Sequence, residues 1–191
     1  FYGSVFPDIP STKIISWETM KEKTVDFSNF IKFKDKEYSD FALGLLLHEE
    51  DLGIDRFVHG DKGYAYMNGR KLVRYLKPHF PESNLLDITH SFIEFAIEIR
   101  ILKDNPELML ILKTSIDEFN KRNKIVNFFS EYFKTNFKVT KNSITLYNKV
   151  LYEMDISSFQ KAVKFYTWII KDLRGINVDE EIIRNILLKA S

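Results

Sequence analysis

NLLDITHSFIEFAIEIR, residues 84–100, decides how this chain folds. Leu85, Leu86, Ile88, Phe92, Ile93, Phe95, Ala96, Ile97 and Ile99 fall on nearly every side of a helix that Ser83 or Asn84 caps and that runs to about Asp104. A helix that is apolar all round is a buried one. One ionisable stripe interrupts it: Asp87, His90, Glu94 and Glu98 stand at offsets of 0, 3, 7 and 11. At about 100° per residue, those offsets return to one side within roughly 80°. Buried carboxylates and imidazoles are costly unless they are paired or bind a cation. The stripe therefore predicts a metal site or an ion-pair network.

A second stretch repeats the pattern. In LLLHEEDLGIDRFVH, residues 45–59, His48, Asp51, Asp55 and His59 have the same offsets. They line one stripe if the helix survives Gly53. If it breaks there, His48 and Asp51 share one face, and Asp55 and His59 share another. The two stripes offer three histidines and five carboxylates with no sulfur. That set suits zinc, with manganese or iron as alternatives, and does not suit copper(I) or an iron–sulfur cluster. Eight candidates exceed the needs of one ion, so either two ions or one ion backed by hydrogen-bonding carboxylates is expected. Asp87 and Glu98 fit that backing role.

Working outward, amphipathic helices are expected over 106–119, 120–135, 143–154, 157–174 and 178–190, with another from Tyr38 to about Leu52. Residues 1–16 read as loop, because Gly3, Pro7, Pro10 and Ser11 interrupt any period. Trp17 to Lys23 reads as a short helix, with Ser28 a possible cap beyond it. GDKGYAYMNG, residues 60–69, reads as a connecting loop with three glycines, followed by a short helix from Arg70 to Pro78. From this loop Lys62, Arg70 and Lys71 could meet a phosphate, and Tyr64 and Tyr66 a lipid headgroup or a base. His79, between two prolines, is expected to be a surface or packing residue. FNKRNKIVNFFSEYFKTNFK, residues 119–138, reads as a buried aromatic face with a solvated lysine side. No alternating strand stands out. The expected fold is all-α, a single-domain bundle of about eight helices, with residues 1–100 carrying the chemistry and 104–191 supporting it.

Composition agrees with this class. The 191 residues are 45% apolar, 29% charged and 15% aromatic, with 17 Phe. A net charge of +1 gives no global basic field for nucleic acid. The absence of cysteine excludes a disulfide scaffold, a zinc finger and a cysteine nucleophile. No apolar run reaches the roughly 18 residues of a membrane span. No signal-peptide pattern opens the chain, so a cytoplasmic location is expected. The first residue is Phe1, so earlier residues are expected to be missing.

Three short motifs resemble the zinc-dependent phospholipase C family, which is all-helical and has nuclease relatives. THSFIE supplies His90 and Glu94 as an HxxxE pair, and FALGLLLHEEDLGIDRFVH is similar to the family's preceding metal helix. GSVFPDI, residues 3–9, is similar to its early PDI element, which adds Asp8 as a ligand. The spacing departs from the family at His48, where HxxxD is absent and Asp55-xxx-His59 reverses the order. With four histidines in all, one or two metals are easier to build than three. The resemblance implies a metal-dependent hydrolase of small-molecule or lipid phosphoesters. Its ligands would be Asp8, His48, Asp51, His59, His90 and Glu94, with Asp55 as a bridging ligand or the general base. The alternative is a non-catalytic helical protein whose stripes are salt bridges or a relic metal site. No His-Asp dipeptide supports an HD-type phosphohydrolase. No Glu-xx-His in the later helices supports a ferritin-like di-iron site.

Overall fold

A computed structural model describes residues 2–49, 53, 55–59, 62–82, 85–122 and 124–190. Among these residues the chain is all-helical, with no strand. In chain order the helices are α1 (Tyr2–Val5), α2 (Trp17–Lys34), α3 (Ser39–His48), α4 (Asp55–Val58), α5 (Tyr64–Gly69), α6 (Val73–Leu76), α7 (Leu85–Asp104), α8 (Glu107–Arg122), α9 (Lys124–Phe133), α10 (Phe137–Glu153), α11 (Phe159–Trp168) and α12 (Glu180–Ala190). They outnumber the eight or so expected, because four short helices punctuate the long ones. Two compact units form: residues 1–56 with 109–153, and residues 57–108 with 154–191. Each takes segments from both sides of position 104.

The first unit is built on aromatic rings. Segment 1–16 is not the expected loop but α1 followed by a 3₁₀ run, Phe6–Thr12. Tyr2, Phe6 and Ile9 are fully buried. Pro7 is tolerated because N–H groups in the first helical turn have no acceptor within the helix, so the one proline lacks is not missed. Gly3 is used for contact: a Cβ on Gly44 of α3 would lie 2.7 Å from the Gly3 carbonyl carbon and the Ser4 nitrogen. That close crossing seats α1 on α3. Phe6 then packs edge-on against Phe41, Phe129 and Tyr147, and truncating a buried ring of this size to Ala costs about 3–5 kcal/mol.

α2 is a full 18-residue helix, not a short one. Ser16 caps it, accepting from the Thr19 amide at 3.0 Å. Ser28 is no cap; it sits inside α2 and donates to the Ala42 carbonyl of α3 at 2.7 Å. α10 starts at Phe137, before the expected 143, because the Asn136 side chain accepts from the Lys138 and Val139 amides. In α9, Ile125, Val126, Phe128 and Phe129 form the buried face that the Phe/Lys alternation predicted.

The second unit has a mixed aliphatic and aromatic core around α7. Ile88, Phe92, Ile93 and Phe95 pack with Leu72, Leu76, Val163, Tyr166, Ile183 and Leu187. The opposite face of α7 is not buried: Asp87, Glu98, Leu86 and Ile101 are exposed. Its stripe is thus half-immersed, a correction to the expected burial, since surface Leu and Ile are ordinary in folded chains. Ser83 and Asn84 lie outside the described residues. The 60–69 loop is also corrected: Tyr64–Gly69 is helical, and Ala65 and Gly69 turn inward. A Cβ on Gly69 would come within 3.0 Å of the His90 nitrogen, so glycine lets α5 lie directly on α7.

Candidate metal centre

α3 ends at His48, where Glu49 turns extended and the Gly53 amide bonds back to the Glu49 carbonyl at 2.7 Å. The four-residue stripe 48/51/55/59 therefore does not exist as one helix face. Asp51 lies outside the described residues. His48 and Asp55 meet across the turn instead, and the remaining predicted residues sort into two groups, one in each unit.

In the first unit, His48 Nδ1 donates to the Ser4 carbonyl at 2.8 Å. Its Nε2 faces Asp55 Oδ2 at 3.2 Å and Asp8 Oδ1 at 3.6 Å. The Gly3–Gly44 crossing is what brings Ser4 within reach of His48. Burial alone would depress the imidazole pKa, but the Asp55 hydrogen bond and the Asp8 and Asp55 charges outweigh it and raise it to about 9. Position at the C-terminal end of α3 also favours a cation there. At pH 7 an imidazole with that pKa is unprotonated in only about one molecule in 100. Asp55 is the sheltered partner, with its side chain 16% exposed against 46% for Asp8. This group is an imidazolium between two carboxylates.

The second unit holds a different arrangement. His59, just after α4, directs Nε2 at Glu94 Oε1, 2.6 Å away. His90, one helical turn before Glu94, places its own Nε2 3.8 Å from Glu94 Oε2. His90 Nδ1 lies 3.3 Å from the Leu86 carbonyl, which orients the ring and leaves Nε2 for ligation. Tyr66 of α5 stacks flat on the His90 imidazole, with centroids 4.5 Å apart and a 10° interplanar angle. Burial pushes the His90 pKa down, with His59 adding to the fall, against the upward pull of Glu94, Leu86 and Asp87.

One ligand atom from each of His59, His90 and Glu94 lies within 4.8 Å of the others, the only such gathering of His and carboxylates among the described residues. Two nitrogens and a carboxylate oxygen match a catalytic zinc set, in which three protein ligands leave one position open. Ligands about 2.0–2.1 Å from a tetrahedral ion sit about 3.3 Å apart. The 2.6 Å His59–Glu94 contact would open by roughly 0.7 Å to admit one. Asp87 and Glu98 are exposed on α7 and stand outside this group. Tyr66 was not anticipated as a neighbour of His90, because its segment read as loop. Its only sequence signal was an aromatic residue soon after His59.

No family model, curated protein or solved structure matches the chain.

Proposed function

We propose that this chain is a metal-dependent hydrolase of phosphoesters, with zinc, or alternatively manganese or iron, held by His59, His90 and Glu94. The observation that carries the reading is the convergence of these three donors from segments 35 residues apart, on a partly exposed surface that a substrate can reach. The likeness of THSFIE and GSVFPDI to zinc-dependent phospholipase C points to phosphoesters within the wider class of metal hydrolases. A bound ion would lower the pKa of water to about 7 and polarise a phosphoryl oxygen.

The chain's own residues then have defined tasks. Glu94 and His59 would exchange their 2.6 Å contact for the ion, the Leu86 carbonyl fixes the His90 ring, and Tyr66 keeps water off one face of that ring. Asp55, expected to bridge metals or act as base, is engaged by His48 in the first unit. The competing reading, a structural ion-pair network, is favoured most at the His48 group, where a proton occupies the nitrogen a metal would need; at the second group a metal would displace the proton shared by His59 and Glu94.

The test is turnover of a chromogenic phosphodiester and of phosphatidylcholine by protein stripped with chelator and then given zinc. Activity that returns with zinc and falls at least about 100-fold in Glu94→Gln supports the reading. Protein that binds zinc yet turns over neither substrate contradicts it.

A further inference from the structure

Between Lys62 and Lys77 the sequence carries five cations, Lys62, Arg70, Lys71, Arg74 and Lys77, and no acid, in a chain of net charge +1. The structure puts the last four on one side. From Tyr64 to Leu76 the backbone is helical without a break: α5, a 3₁₀ turn at Arg70–Leu72, then α6. Ala65, Gly69, Leu72 and Leu76 point inward, while Tyr64, Met67, Arg70, Lys71, Arg74 and Lys77 are exposed. The outward face is therefore cationic along most of its length. It is apolar at its start, where Tyr64 is 58% and Met67 54% exposed. Arg74 and, from α12, Lys189 each lie 4.6 Å from the Tyr75 ring centre, so a fifth cation joins the strip. Lys77 contacts Glu82 at its far end.

Solvated helix faces normally mix both signs of charge. A predominantly cationic face, led by an exposed tyrosine and a thioether, matches a negatively charged lipid surface, which attracts the cations and accepts apolar side chains at headgroup depth. A nucleic acid would reward the cations equally but would gain nothing from Met67. We propose that the outward face of α5 and α6 docks the protein on anionic lipid bilayers. This docking is independent of the hydrolase reading, since it needs neither metal nor turnover.

Co-sedimentation with vesicles of phosphatidylcholine, alone or mixed with phosphatidylserine, tests it in the presence of chelator. Binding is expected only to the anionic vesicles and should weaken at high salt. It should fall about fivefold per charge removed, so Arg70→Glu/Lys71→Glu/Arg74→Glu loses about 100-fold or more. Tyr64→Ser/Met67→Ser should weaken binding with every charge intact. All five residues are exposed, and far-ultraviolet circular dichroism checks that both variants keep their helices. Three results would overturn the proposal: no binding to anionic vesicles, equal binding by wild type and the charge variant, or retention on single-stranded DNA but not on vesicles.

Discussion

The two histidine–carboxylate groups use the same residue types and reach opposite electrostatic ends. Around His48, two carboxylates face one nitrogen, and a backbone carbonyl takes the other, so the ring keeps its proton to about pH 9. Around His90, one carboxylate is shared with a second histidine, the facing ring is His59, and burial pushes the pKa down. The difference is the ratio of anions to imidazoles. Two carboxylates per histidine favour a proton, whereas one carboxylate shared by two histidines leaves the His90 Nε2 lone pair for a cation. Composition alone would have called both groups metal sites.

The largest expected effect falls on the second group. Glu94→Ala should weaken zinc binding at least about 100-fold in a competition titration against a chelator, while Asp55→Asn changes it less than about threefold. Comparable losses in both variants would erase the distinction drawn here.

Next in size is a pH dependence confined to the first group. The folded pKa of His48 lies above its unfolded value of 6.5. Its contribution to stability is therefore complete below pH 6.5 and disappears as pH rises through about 9. Urea unfolding of chelated protein should lose up to about 3 kcal/mol across that window, and His48→Gln should flatten the loss. A wild-type profile as flat as the variant's would contradict the imidazolium assignment.

Gly44→Ala should cost about 2 kcal/mol, because the added methyl meets the Gly3 and Ser4 backbone at 2.7 Å and nothing at the end of a flexible side chain can yield. It should also lower the His48 titration measured by NMR, since Ser4 moves away from Nδ1. Smallest is Tyr66→Leu, which removes the ring stacked on His90. About 1 kcal/mol of stability should go with it, with zinc affinity falling less than in Glu94→Ala.

How far the sequence disclosed all this varies by region. The apolar run 84–100 announced α7, and its i,i+4 spacing announced His90 with Glu94. It overreached in expecting the whole stripe to be buried, because Asp87 and Glu98 lie on the exposed side of α7. His48 with Asp55 was visible as a pair of suitable types, but their meeting depends on the backbone turning at Glu49, which periodicity does not encode. Asp8 entered only through the PDI likeness, since no local pattern links positions 8 and 48. The glycines misled twice. Gly3 and Gly69 read as loop punctuation, yet each lets one helix lie against another. That misreading hid α1 and α5, and with α5 the alignment of Arg70, Lys71 and Arg74 along one exposed face.

The most direct test is elemental mass spectrometry of protein prepared without chelator, comparing wild type with His90→Ala/Glu94→Ala and with His48→Gln/Asp55→Asn. Near-stoichiometric zinc, manganese or iron in wild type and in the His48 variant, lost in the His90 variant, is the predicted result. Metal that follows the His48 group, or wild-type protein that stays folded and takes up no metal when offered it, would contradict the assignment of His59, His90 and Glu94 as the metal centre.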